Sequence, residues 1–223
     1  MAAVREVSLQ GLPAEQRNWV NDHTVYTHGF GFVAALGEET TDGGRPSFVS
    51  SDIPPIGEII DYEPRIYFGR ESPTYSIVGG PEGAEPLELD FPADESGSGV
   101  QNNTYQGSGG VEIGSFFNKL MFATKYQEAN ILLSGRVTSE SKILYIRDPK
   151  ERVKKVAPWL TLDGDPYPVV ADGKVQWVVD GYTTSNGYPY STRSTLDEAT
   201  ADSQTTQSTA LVAPVERVNY IRN

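Results

Sequence analysis

Cysteine is absent from this chain of 223 residues, and histidine and methionine occur twice each. Without a thiol there is no disulfide, no thiolate metal site and no cysteine nucleophile, and the absence fits either side of a membrane. Long apolar runs are missing as well. No stretch approaches the roughly 18 consecutive apolar residues of a spanning helix, and the opening Met1-Ala2-Ala3-Val4-Arg5 has no apolar leader region. The chain as written therefore reads as soluble. Basic residues are scarce: 18 Lys and Arg stand against 30 Asp and Glu, a formal charge of −12. That field repels phosphate backbones and anionic lipid, so nucleic acid is disfavoured as a partner. One basic stretch interrupts it, formed by Arg147, Lys150, Arg152, Lys154 and Lys155, and it reads as a solvated helix face.

What remains is globular in kind, with 38% hydrophobic residues and 12 Tyr, 8 Phe and 3 Trp. A chain of this length can bury roughly 70 to 75% of its unfolded surface. Pro13 to Thr24 opens with a proline suited to a first helical position and predicts a short helix. Apolar residues at Ile113, Phe116, Phe117, Leu120 and Met121, followed by Thr124, recur at helical spacing and predict a helix over 113–128 with that face in the core. Asp148-Pro149-Lys150-Glu151 supplies an N-cap, a proline at the first helical position and a glutamate at the third, predicting a second helix that ends before Pro158.

Extended runs are expected at Arg65 to Phe68, Tyr75 to Val78, Leu87 to Phe91, Leu132-Leu133, Lys142 to Ile146 and Leu211 to Ile221. Asp172-Gly173 lies between Tyr167–Ala171 and Lys174–Val179 and predicts a β-hairpin, because the turn needs positive φ at both central residues. Residues 37–57, 93–110 and 183–214 are rich in Gly, Pro, Ser, Thr and acids and read as mobile loops. The expected architecture is α+β, a mixed or antiparallel sheet with a few packed helices, in a single domain over 1–223. The apolar run near the last residue suggests a boundary inside a longer protein.

Several segments form a recognisable series. Arg17-Asn18-Trp19-Val20-Asn21-Asp22-His23-Thr24-Val25-Tyr26-Thr27-His28-Gly29 is followed by Pro64-Arg65-Ile66-Tyr67-Phe68-Gly69 and by Gly109-Gly110-Val111 to Asn118. Then come Ile143-Leu144-Tyr145-Ile146-Arg147-Asp148-Pro149, the run Ala157-Pro158-Trp159-Leu160-Thr161-Leu162-Asp163-Gly164-Asp165-Pro166-Tyr167-Pro168, and Trp177 to Ser185. Together they resemble the uncharacterised protein family 0182 of the UPF series, found mainly in actinobacteria and cyanobacteria. The resemblance implies a multi-pass membrane protein of which this chain is part of the extracytoplasmic region, at the cell membrane and partnered by the spanning region of the same protein. It brings no agreed activity and no catalytic residues.

Candidate chemistry is thin. No Gly-x-Ser-x-Gly elbow, H-E-x-x-H pair, EF-hand spacing or Walker lysine occurs. Asp22, His23 and His28 are the one concentration of acid and imidazole, a catalytic or metal-binding set or else a packed aromatic turn. Gly107, Gly109 and Gly110 precede the helix at 113 and offer amides to an anion, or form a linker. Asp163, Asp165 and Asp180 offer hard oxygens to a metal such as calcium, or simply shape turns. Tyr182-Thr183-Thr184-Ser185 with Gly187-Tyr188-Pro189-Tyr190 suits a glycan or an envelope protein partner, or equally forms the anchored base of the long loop. The expectation is an interaction or structural domain. Its alternative is a membrane-associated metal-assisted or hydrolytic enzyme in which Asp22, His23, His28 and Asp180 converge.

Overall fold

The computed structural model describes residues 1–91, 101–185, 194–195, 209–212 and 216–222. Strands open the chain: β1 (Ala2–Val4), β2 (Gly29–Phe30), β3 (Phe32–Thr40), β4 (Pro46–Ser51), β5 (Ile56–Gly57), β6 (Arg65–Ile66), β7 (Tyr75–Val78), β8 (Glu88–Phe91), β9 (Gln101–Asn103) and β10 (Val111–Glu112). Helices α1 (Phe116–Tyr126) and α2 (Asn130–Leu133) follow, then β11 (Lys142–Tyr145) and α3 (Pro149–Val156). The remainder is β12 (Thr161–Leu162), β13 (Tyr167–Ala171), β14 (Lys174–Tyr182), β15 (Thr184–Ser185), β16 (Ser194–Thr195), β17 (Thr209–Val212) and β18 (Glu216–Arg222).

Every pairing between these strands is antiparallel. The sheets of three or more strands run β1-β3-β4-β5, β10-β11-β7, β12-β14-β13 with β18 also on β14, and β15-β17-β16. The fold is therefore α+β, as expected, built from small antiparallel sheets and the short helices α1 to α3. No described helix is long and apolar enough to cross a membrane.

Local chemistry accounts for the elements that match expectation. Asp172 and Gly173 adopt φ of 52° and 67°, which closes the β13–β14 hairpin in the register Ala171 to Lys174. Asp148 caps α3, its side chain accepting from the Glu151 amide at 3.0 Å, while Lys154 and Lys155 sit in the last turn against the helix dipole.

Other expectations fail for physical reasons. Pro13 to Thr24 is not one helix but a short 3-10 turn at Ala14–Gln16 followed by a π-turn at Asn21–Val25. Asn18 Oδ1 accepts from the Asn21 amide at 3.0 Å, and Asn21 Nδ2 donates to Gln16 O at 2.7 Å, so side chains compete with the helical ladder. Leu132-Leu133 is helical, in α2. The polar stretch 37–57 forms the exposed ribbon of β3, β4 and β5. Within 93–110, residues 101–103 pair with β8, while 93–100 lie outside the described residues, as do most of 183–214 and all of Gly187-Tyr188-Pro189-Tyr190.

The largest correction concerns α1. The apolar face expected in the core points to solvent: Phe116, Phe117, Leu120 and Met121 are exposed, whereas Phe122 is buried. Phe122 packs with Tyr75, Ile77, Ile113, Ile131, Val137 and Ile143 into one core cluster. Periodicity locates a helix but does not say which of two apolar flanks the sheet takes.

Candidate functional site

The segment from Val25 to Phe30 leaves the π-turn and enters β2 through a crossing that only glycine permits. A Cβ on Gly29 would stand 1.9 Å from the Arg5 carbonyl oxygen. Thr27 and His28, beside that crossing, are buried. Short β8 presents Glu88 and Asp90 at alternate positions of one strand, and both are buried too.

The result is a connected polar cluster. His28 Nε2 lies 3.2 Å from Asp90 Oδ1. Thr27 donates its hydroxyl to Glu88 Oε2 at 2.7 Å and stands 2.9 Å from His28 Nδ1. Tyr67 donates to the same Glu88 oxygen at 3.1 Å, and the amides of Gly79 and Tyr105 donate to Glu88 Oε1 at 3.0 and 2.9 Å. Arg65 grips Asp90 with two bonds, Nε to Oδ1 at 2.7 Å and Nη2 to Oδ2 at 2.8 Å. Burial alone would raise the Asp90 carboxyl, but hydrogen bonds from His28 and Arg65 outweigh it and hold it below its ordinary range. Burial and the Glu88 charge push the Tyr67 phenol far up, so it stays a donor.

Arg147 completes the cluster from β11's exit. It is buried and donates from Nε to Tyr67 O at 2.7 Å, from Nη1 to Ser76 Oγ at 2.6 Å and from Nη2 to Thr27 O at 2.6 Å. Loss of solvent pushes its guanidinium down to about 9, and the three acceptors hold it in place. Sequence reasoning assigned Arg147 to a solvated basic face. That was wrong because the left-handed residue before it, Ile146 at φ 51°, turns the chain inward ahead of α3.

The candidates named from sequence are distributed among separate environments. Asp22 is paired with Arg17 at 3.0 Å. His23 stacks on Tyr75 with ring centres 4.0 Å apart, and its Nδ1 lies 2.9 Å from Tyr75 O. That carbonyl only accepts, so Nδ1 carries the proton. Burial lowers the His23 pKa, and the bond to Tyr75 opposes the shift. His28 sits with Glu88 and Asp90, two acids that sequence did not single out and that alternate spacing on β8 offered as the one clue.

Asp163 donates its amide to Asp180 O at 2.8 Å. The Asp180 carboxylate has one buried oxygen without a hydrogen-bond partner among the described residues, and exposed Asp165 faces Arg70 at 3.3 Å. No described group of three or more His, Asp or Glu is arranged to hold a metal ion. Gly109 is engaged internally, its amide donating to the Tyr105 hydroxyl at 3.1 Å. Gly107 O accepts from Lys142 Nζ at 3.3 Å. The start of α1 is capped by Ser115, whose hydroxyl accepts from the Asn118 amide at 3.2 Å.

A second feature faces outward. Phe116 and Phe117 are 62% and 79% exposed, Leu120 and Met121 continue their two rows one turn on, and Leu133 of the neighbouring α2 is 76% exposed. Scattered apolar residues on a surface are ordinary; here four of them lie side by side on one helix.

Comparison with known proteins gives one consistent answer. The description "Uncharacterised protein family (UPF0182)" matches residues 1–223. A UPF0182 protein of Arthrobacter sp. (strain FB24) is 53% identical over 224 residues, covering 99% of this chain and 22% of the relative. One from Kineococcus radiotolerans is 52% identical, covering 100% of this chain and 22% of its own length. One from Streptomyces coelicolor is 49% identical, with 99% and 21% covered. The chain thus spans about a fifth of the curated relatives it matches. No solved structure matches it.

Proposed function

The chain belongs to the uncharacterised protein family UPF0182, and from that premise we propose that it is an interaction and structural module of a much longer polypeptide, held on the extracytoplasmic side of the cell membrane. The exposed face of α1 and α2 carries this reading. Phe116, Phe117, Leu120, Met121 and Leu133 lie open on a chain that spans 22% of its relative from Arthrobacter. Covering them removes large apolar side chains from water, each contributing about 1.5–3 kcal/mol when fully buried. The occupant is the rest of the same polypeptide, its membrane-spanning part included, because that is the partner present at fixed high effective concentration. The internal polar cluster of His28, Glu88, Asp90 and Arg147 ties together segments distant in sequence.

The test uses the absence of native cysteine in this chain. Phe117→Cys is labelled with a maleimide in the 223-residue chain and in the full-length polypeptide stripped of any cysteines of its own. Protection of the introduced thiol in the longer protein by an order of magnitude in rate is expected, and equal labelling overturns the docking. Glu39→Cys on the exposed β3 edge, reached by a membrane-impermeant maleimide in intact cells, is expected to label. Labelling only after lysis overturns the extracytoplasmic placement.

A further inference from the structure

A groove of about 320 Å³ opens between the β10–β11 edge and α3. Phe68, Val111, Leu144 and Val156 line it with apolar surface, and Arg152 and Lys155 add two cations. A volume at the low end of small-ligand sites has room for one headgroup and a short stem.

Arg152 is positioned by neutral groups of the protein rather than by a counter-charge. Arg152 is half-buried, stacks on Phe68 with its guanidinium carbon 4.6 Å from the ring centre, and bonds through Nη1 to the carbonyls of Tyr145 and Ile146 at 3.4 and 3.3 Å. Among the described residues no carboxylate pairs with either Arg152 or Lys155. Burial lowers the Arg152 pKa, with Tyr145 and Tyr105 opposing, as expected of a cation short of a counter-charge. Ile146, which also lines the groove, is held at φ 51°. A β-branched residue keeps that conformation only where its surroundings over-determine it.

We propose that this groove binds a phosphate monoester carried on an apolar stem, the head between Arg152 and Lys155 and the stem on Phe68, Val111, Leu144 and Val156. Two adjacent cations match a dianion better than a monoanion, and the arginine fork presents paired donors to two oxygens of one phosphate. The net charge of −12 opposes such a ligand, but at physiological ionic strength that repulsion is screened beyond about 8 Å while contacts inside the groove are not. The stem anchors the ligand where charge alone would not.

The experiment is an NMR titration of the ¹⁵N-labelled 223-residue chain with octyl phosphate, octanoate and octanol. Octyl phosphate is expected to give saturable shifts at Gly110, Val111, Tyr145 and Val156, octanoate weaker ones and octanol none. Lys155→Ala, at an exposed position, and Arg152→Lys are each expected to weaken octyl phosphate roughly tenfold, the loss of one charge-assisted bond. Absence of saturable shifts, affinity unchanged by Lys155→Ala, or octanoate binding as tightly as octyl phosphate overturns the proposal.

Flotation with phosphatidylcholine vesicles, with and without phosphatidic acid, separates the sources. Phosphatidic acid-dependent flotation lost in Lys155→Ala assigns a lipid head. Octyl phosphate binding without flotation assigns a free phosphate ester.

Discussion

Arg65 holds Asp90 through two hydrogen bonds of 2.7 and 2.8 Å, one to each carboxylate oxygen, and the same carboxylate takes His28 Nε2 at 3.2 Å. One anion on β8 thus ties β6 to the end of the π-turn segment. Asp90→Asn keeps the shape and removes the charge, leaving Arg65 and His28 with a weaker acceptor. A loss of about 1–3 kcal/mol is expected by urea unfolding at neutral pH. Because the folded Asp90 lies below its unfolded value, its contribution is complete above about pH 4 and is lost as pH falls through the folded value. The acid limb of the stability profile should be shallower in Asp90→Asn, and an unchanged limb would count against the linkage.

His23 predicts a second, milder pH dependence. Its folded pKa is lowered from 6.5 by burial against Tyr75, so the unfolded chain binds a proton first on acidification. Stability is full above about pH 6.5 and declines as pH falls from there toward the folded value. Urea midpoints at pH 7.5 and 5.5 should differ in the wild type by more than in His23→Gln. Equal differences in the two proteins would mean that His23 does not titrate differently on folding.

Arg147 joins the π-turn segment, β6–β7 and the entry to α3. Replacement with methionine keeps much of the volume but strands Tyr67 O, Ser76 Oγ and Thr27 O, the three acceptors it satisfies. Each buried acceptor left unpaired costs about 1–3 kcal/mol, so a total loss of about 3 kcal/mol or more is expected. Ser76→Ala, which removes one neutral acceptor, should cost far less, and comparable losses for the two variants would refute the ranking.

Glycine positions allow a steric prediction with an internal control. A Cβ on Gly29 or Gly114 would stand 1.9 Å from a backbone oxygen, of Arg5 and Ser139 respectively, whereas at Gly37 nothing lies within 4 Å. Gly29→Ala and Gly114→Ala should each lose more than about 2 kcal/mol, since backbone has to move. Gly37→Ala should be near neutral. Thermal melts of the three variants decide it.

The parts of this fold that sequence made legible are those whose cause is local. The Asp172-Gly173 turn, the Asp148 cap with Pro149, and the aromatic and β-branched residues of Tyr75 to Val78 each carry their instruction within four or five residues. The polar cluster does not. Glu88 and Asp90 sit 61 and 62 residues from Thr27 and His28, and nothing in their neighbourhood separates them from the many other acids of a chain with 30. Arg147 misled because a lysine-rich neighbourhood looks solvated, while the inward turn at Ile146 is a tertiary effect. His23 and His28 were legible as unusual residues, but their five-residue separation put one against Tyr75 and the other against Asp90.

Helix α1 offers the sharpest contrast between pattern and packing. Phe117 and Phe122 lie on the same helix of 11 residues, yet Phe117 is 79% exposed and Phe122 is 3% exposed. Phe122 meets Tyr126 and Tyr145, and Lys125 Nζ sits 4.4 Å from the Tyr145 ring centre, closing the aromatic cluster from outside. Phe122→Ala should therefore cost about 3–5 kcal/mol, the range for emptying a buried aromatic site. Phe117→Ala should stay within about 0.5 kcal/mol of wild type in the isolated chain, as expected for a surface position. In the full-length polypeptide the ranking changes if this face is docked: Phe117→Ala should become destabilising there while remaining silent in the 223-residue chain. Measuring both variants in both contexts separates a face that merely tolerates phenylalanine from one that uses it. Silence of Phe117→Ala in the longer protein would leave α1 a solvent-facing helix and remove the main support for the docking surface.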